Sequence, residues 1–205
     1  MITEWQNDQL SQLGNAYPNH AMRKFCRQAP GWYADAQLIA NDLGLDRVIP
    51  LRILDIGCGF GYFCSVGLAL GHYVTGLDLH DSMVRQGAAI LNVQYVGHEI
   101  RRYKPLPSLL TGYDLITMFG VNLRGPSGNY WSHHQYAFLA LDLCDRLKSG
   151  GRWMLRPNVR DFDTHDLSKR FIFDVLAWAD AIDHFAEVQI DDRQIVVTKR
   201  KEDEG

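Results

Sequence analysis

A short apolar run, Arg52-Ile53-Leu54-Asp55-Ile56, ends on the glycine-rich stretch Gly57-Cys58-Gly59-Phe60-Gly61. No other junction in the chain constrains its fold as tightly. An apolar run that does not alternate suits a strand covered on both faces, as in a parallel sheet. Glycines at the turn tolerate positive φ and let the main chain approach a ligand closely. Residues 63–70 then carry a helical pattern that stops at Gly71, a good residue to follow a helix. Strand, glycine loop and helix in that order open an α/β unit, whose ligands bind beyond the carboxyl ends of the strands.

The alternation continues along the chain. Tyr73-Val74-Thr75-Gly76-Leu77 is a second strand ending at Asp78, and residues 82–91 are helical with Asp81 as N-cap. Val93-Gln94-Tyr95-Val96 makes a third strand and residues 113–119 a fourth. Over 131–147, Ala137, Ala140, Cys144 and Leu147 recur at helical spacing. Lys148-Ser149-Gly150-Gly151 breaks that helix before a fifth strand, Arg152-Trp153-Met154-Leu155. Leu167, Phe171, Val175, Trp178 and Ile182 mark one face of an amphipathic helix capped by Asp166. Residues 185–190 and 194–198 read as closing strands joined by Asp191-Asp192-Arg193. So short a connection forces an antiparallel pair, because a parallel crossover needs about a dozen residues or more.

The expected fold is therefore α/β: a doubly wound, mostly parallel seven-stranded sheet with an antiparallel C-terminal edge hairpin. A helical N-terminal extension precedes it, with helices over 3–13 and 33–43. They are separated by Tyr17-Pro18-Asn19-His20 and Ala29-Pro30-Gly31, which read as breaks. Trp5, Tyr17, Phe25, Trp32 and Tyr33 give this region aromatics that either pack its helices onto the domain or line a lid over a substrate cleft. The division expected is 1–50 as extension or lid and 51–205 as the ligand-binding domain.

Charge and cysteine usage narrow the setting. A net charge of -3 gives no electrostatic reason for a nucleic-acid or membrane-surface partner. The dense basic stretch Arg101-Arg102-Tyr103-Lys104 reads as a solvated loop. No apolar run approaches the roughly 20 residues of a membrane-spanning helix, and Met1-Ile2-Thr3-Glu4-Trp5-Gln6 lacks a signal-peptide layout. Cys26, Cys58, Cys64 and Cys144 show no metal-type pairing, so a cytoplasmic location is expected. His133 and His134 with Asp142 or Asp145 lack the spacing of a metal-ligand set, and no metal is expected.

Two ligand classes compete for the glycine loop. A dinucleotide fingerprint, G-x-G-x-x-G, would seat a pyrophosphate on the helix N-terminus. Here the sixth position is Tyr62 and the pattern fails. Asp55, at the loop entrance, would repel a pyrophosphate and suit an ammonium group. The charge argument favours a ligand with an amino-acid end.

Asp55-Ile56-Gly57-Cys58-Gly59-Phe60-Gly61 resembles the first motif of class I S-adenosylmethionine-dependent methyltransferases, and the resemblance spans about residues 50 to 200. It implies S-adenosylmethionine as cofactor. It places Asp78 at the ribose hydroxyls, Met83 near the adenine, and Glu99, in place of the more usual aspartate, near the adenine amino group. Gly57, Cys58, Gly59, Gly61, Tyr62, Leu79, His98, Phe119 and Gly120 complete the implied cofactor positions. Gly112-Tyr113-Asp114-Leu115-Ile116 resembles the start of the family's fourth strand. Leu147-Lys148-Ser149-Gly150-Gly151-Arg152 is similar to its turn before the fifth, with Ser149 in place of proline.

Methyl transfer from a sulfonium is an in-line displacement, so alignment of the reactants dominates. An oxygen or nitrogen acceptor also needs a base, and histidine is the usual one near neutral pH. The catalytic candidates are His134, His133 and Asn122, which follow the fourth strand. The two histidines diverge by roughly 100° on a helix, so at most one faces a cleft directly, and a surface role is open for both. Asn158 follows the fifth strand; His20, His165 and His184 read as surface or loop residues. No N-P-P-Y is present, which argues against an amino-methylating DNA enzyme of that type. The expected function is methyl transfer to a small-molecule acceptor. A non-methylating S-adenosylmethionine binder and a nicotinamide-dependent oxidoreductase are the alternatives, and the oligomeric state is open.

Overall fold

The computed structural model describes residues 1–121, 131–156, 182, 186–190 and 194–201, apart from the side chain of His133. The main chain clusters into two compact units, Met1–Glu99 and Ile100–Gly205. Seven strands form one sheet in the order β3-β2-β1-β4-β5-β7-β6. Three of them belong to the first unit and four to the second.

In the first unit, α1 (Glu4–Ala16), α2 (Arg23–Arg27) and α3 (Ala29–Asp42) precede β1 (Arg52–Ile56), α4 (Tyr62–Ala69), β2 (Tyr73–Asp78), α5 (Ser82–Ile90) and β3 (Gln94–Gly97). β2 pairs in parallel with both β1 and β3. Thr3 opens α1 with a capping box. Its hydroxyl accepts from the Gln6 N–H, and Gln6 Oε1 accepts from the Thr3 N–H. Two of the helix's orphan donors are thereby satisfied. The sequence predicts an end at residue 13, but α1 continues to Ala16 through a buried Gly14. A Cβ at Gly14 would stand 2.8 Å from Cys26 Cβ, so glycine there permits the close approach of α2.

Ala29-Pro30-Gly31, expected as a break, instead forms the first turn of α3. Proline is well placed there, since its missing N–H is one that a first turn leaves unbonded anyway. The five-residue α2 is too short to carry a periodic signal. α4 lies close to the sheet because a Cβ at Gly67 would meet Val74 Cγ2 at 2.9 Å. Ile53, Leu54, Ile56, Phe60, Leu77 and Met83 fill the core of this unit.

In the second unit, β4 (Tyr113–Phe119) and β5 (Leu147–Arg156) run parallel. β7 (Ile195–Lys199) joins β5 antiparallel and pairs antiparallel with β6 (Ala186–Ile190), forming the expected edge hairpin. α6 (His133–Arg146) leads straight into β5. The break expected at 148–151 is a bulge inside the strand. Tyr113 pairs with Leu147, but Leu115 already pairs with Arg152. Gly150 takes φ 73° there. A Cβ at Gly151 would lie 3.0 Å from the carbonyl oxygens of Lys148 and Tyr113. Both glycines are thus structural.

Asp142 and Arg146 clamp the chain before β4 onto α6. Asp142 Oδ2 accepts from the Leu106 N–H at 2.8 Å, and Arg146 Nη2 donates to Asp142 Oδ1 at 2.7 Å and to the Leu106 carbonyl at 2.9 Å. Leu115, Ile116, Met118, Leu143 and Val197 are buried here. The helix expected around Leu167, Phe171, Val175 and Trp178 lies outside the described residues, as do its cap Asp166, the turn 191–193, His165, His184, Asn122 and Asn158. Among the described residues no helix is long and apolar enough to cross a membrane.

Candidate functional site

The loop after β1 is held by main-chain bonds to the end of β2. The Gly57 and Cys58 N–H groups both donate to the Leu77 carbonyl, at 2.7 and 3.2 Å, and Gly61 N–H donates to the Cys58 carbonyl at 2.8 Å. Closing so tight a turn puts Gly57, Gly59 and Gly61 at φ 74°, 55° and 83°. Side-chain-bearing residues rarely adopt that conformation. Gly61 has a second reason to lack a side chain, since a Cβ would meet Val93 Cγ2 at 2.9 Å. Phe60 turns inward and is 1% exposed. Its ring fills the space where a Cβ on Gly87 of α5 would sit, which anchors the loop from beneath.

Asp78 ties the loop to β2 through its side chain. Oδ2 accepts from the Gly59 N–H and Oδ1 from the Leu79 N–H, each at 2.7 Å. Each oxygen retains capacity for a further donor. Leu79 is 55% exposed beside it, an unusual position for leucine in a folded chain. Its carbonyl accepts from the Tyr95 hydroxyl, and the His98 N–H donates to the Asp78 carbonyl at 2.7 Å. The ends of β1, β2 and β3 thus meet around one half-buried carboxylate.

Asp55 is 5% exposed and accepts from Cys64 Sγ at 3.5 Å. A hydrogen bond with Cys58, burial and the Asp55 charge together hold the Cys64 thiol well above its usual range. Both sulfurs pack where a Cβ on Gly76 would sit, at 2.7 Å from Cys58 Sγ and 3.3 Å from Cys64 Sγ. Small sulfur-bearing side chains here let β2 lie under the loop. All four cysteines are free thiols.

The other expected cofactor residues have these surroundings. Met83 is fully buried on α5, where its N–H donates to the capping Asp81. Tyr62 is buried and its hydroxyl donates to the Phe25 carbonyl at 2.7 Å; burial pushes its phenol above the usual range. His98 is half-buried and Glu99 exposed at the end of β3.

In the second unit, Phe119 ends β4 and Gly120 follows it, with the Gly120 N–H donating to the Arg156 carbonyl at 2.8 Å. The Arg156 guanidinium carbon lies 5.1 Å from the Phe119 ring centroid, and its Nε donates to Gln194 Oε1 at 2.9 Å. Of the three catalytic candidates, His134 is exposed in the first turn of α6. The His133 side chain and all of Asn122 lie outside the described residues.

Sequence reasoning misses one contact. His20, expected as a surface or loop residue, is half-buried, and its Nε2 lies 3.0 Å from Asp81 Oδ2, 61 residues away. Among the described residues no group of three or more His, Cys, Asp or Glu is arranged to hold a metal ion.

No protein-family model and no curated protein sequence matches the chain. Solved structures do match. A proposed S-adenosyl-L-methionine-dependent methyltransferase from Methanococcus maripaludis superposes with a TM-score of 0.56 at 16% identity, covering 99% of this chain and 96% of the other. A TehB-like SAM-dependent methyltransferase from Corynebacterium glutamicum gives 0.54 at 16% identity, covering 88% and 98%. An O-methyltransferase family protein from Burkholderia thailandensis gives 0.52 at 12%, covering 90% and 62%. The fold is that of the class I S-adenosylmethionine-dependent methyltransferases.

Proposed function

We propose that the chain is an S-adenosylmethionine-dependent methyltransferase acting on a small-molecule acceptor. The observation that carries this reading is the carboxylate of Asp78, fixed by the Gly59 and Leu79 N–H groups at the mouth of a loop of three positive-φ glycines. A carboxylate whose oxygens keep spare acceptor capacity suits a pair of ribose hydroxyls. The exposed face of Leu79 suits a flat apolar ring such as adenine. The anionic side chain of Asp55 at the loop entrance disfavours a pyrophosphate, which favours a nucleoside that ends in an amino acid.

In this reading Asp78 binds the ribose, Leu79 and the His98–Glu99 end of β3 flank the base, and Gly57, Gly59 and Gly61 receive the amino-acid end. Phe119 and Gly120 complete the cofactor residues. Bound there, the sulfonium supplies an activated methyl group. The protein's own work is alignment, which contributes on the order of 7–11 kcal/mol in well-oriented reactions. His134, His133 and Asn122 are the proposed acceptor-side residues, with a histidine taking the acceptor's proton where the acceptor is an oxygen or nitrogen. Residues 1–50 are proposed to cover the substrate side. The net charge of -3 supports a small-molecule partner over nucleic acid or membrane, and the free thiols support a cytoplasmic setting.

Isothermal calorimetry tests the reading. S-adenosylhomocysteine is expected to bind in the micromolar range and NAD not at all. The opposite preference would return the glycine loop to an oxidoreductase.

A further inference from the structure

The segment between α1 and α2 makes side-chain contacts with both walls of the Asp78 site. On one wall, the Met22 methyl lies 3.5 Å from where a Cβ on Gly59 would sit, in ordinary contact with the middle glycine of the loop. On the other, His20 Nε2 lies 3.0 Å from Oδ2 of Asp81, the residue that caps α5. His20 Nδ1 accepts from the Met22 N–H at 3.2 Å, so Nε2 carries the hydrogen and donates to the carboxylate. One imidazole thus links the main chain of Met22 to the helix that follows Asp78.

Asp81 has a separate oxygen for each task. Oδ1 receives the Met83 and Val84 N–H groups and Oδ2 receives His20. The segment is pinned at both ends as well. Gln86 Nε2 donates to the Tyr17 hydroxyl at 2.9 Å, the Tyr62 hydroxyl donates to the Phe25 carbonyl at 2.7 Å, and the Phe25 ring lies 6.0 Å from that of Phe60. Residues 20–22 therefore run from the α5 cap to the glycine loop, and Asp78 joins the same two elements, bonding the Gly59 N–H and preceding Asp81 in the chain.

We propose that Met22 is a cofactor-contacting residue and that His20 positions it, so that residues 20–22 roof the S-adenosylmethionine site. This rests on the function proposed above. The Met22 thioether is flexible and polarizable, suited to packing on an apolar ligand surface beside the loop. The His20–Asp81 bond holds the roof down, and the cofactor enters and leaves when that bond opens.

Stopped-flow displacement of S-adenosylhomocysteine from the full chain tests this. His20→Ala and Asp81→Ser are both expected to speed dissociation about tenfold, the effect of losing one hydrogen bond to a charged group. Serine keeps the α5 cap while removing the partner of His20. Combining the two should add nothing beyond either alone, a coupling that two unrelated structural defects would not show. Met22→Ala should weaken equilibrium binding while leaving the His20–Asp81 pair in place. Should His20→Ala fail to fold, Asp81→Ser and Met22→Ala carry the test. Dissociation rates and affinity unchanged in variants that still bind would overturn the roof alone. Loss of binding in the unaltered chain would overturn the proposed function together with it.

Discussion

Asp78→Ala is expected to abolish measurable S-adenosylhomocysteine binding while the chain remains folded. The carboxylate has two duties of unequal weight. Structurally it accepts the Gly59 and Leu79 N–H groups, each at 2.7 Å. It is only half-buried, so water can replace it there, and the loss stays near the low end of the roughly 1–3 kcal/mol for an orphaned donor. For the ligand no such replacement is available. Each ribose hydroxyl would lose a hydrogen bond to a charged group, about 1.5–3 kcal/mol apiece, so affinity falls by roughly two to four orders of magnitude. Asp78→Asn keeps the shape and one acceptor oxygen and should fall between. Calorimetry read beside a thermal melt separates the two duties. An affinity unchanged in Asp78→Ala would remove the residue from the site.

The largest stability effect is expected in the second unit, at Asp142. Its side chain is 8% exposed and the Arg146 side chain 12%, so removing the carboxylate strands a guanidinium and the Leu106 N–H away from solvent. Breaking one partner of a buried pair typically costs about 3–5 kcal/mol. In a chain of this size that lowers the thermal midpoint by roughly 6–20 °C. Asp142→Leu with Arg146→Met should recover much of the loss, because no uncompensated charge remains. Lys148→Ala is the contrast. Its ion pair with Asp114 is 2.8 Å long but half-exposed, and such pairs contribute about 0–1 kcal/mol. Chemical denaturation of the three variants gives the ranking. Equal losses in Asp142→Ala and Lys148→Ala would contradict the clamp.

These two residues also show where sequence stops being informative. β4 falls over Tyr113–Phe119 as its apolar run implies, and Asp81 caps α5 as its side-chain chemistry implies. Both depend on neighbours within a few residues. The order of the glycine loop and Asp78 is legible because strand ends in a parallel sheet come together on one edge. Asp142 lacks such a signal. Nothing in its own helix says that it receives an N–H from Leu106, 36 residues earlier.

The misjudged elements have the same cause. Pro30 reads as a break because proline ends helices, yet at the first turn its ring is tolerated. Gly150 and Gly151 read as a terminator, and only the register against Tyr113 and Leu115 reveals a bulge. His20 reads as a surface or loop residue, and although it does lie in a loop, only the fold brings Asp81 to it.

The loop of Gly57, Gly59 and Gly61 together with Asp78 is proposed to form an S-adenosylmethionine site. A crystal structure of the chain with S-adenosylhomocysteine tests it most directly. Both ribose hydroxyls are expected on the Asp78 carboxylate, the adenine against Leu79, and the amino-acid end on the glycine loop. The ligand seated elsewhere, with the Asp78 oxygens still bonded only to Gly59 and Leu79, would contradict it.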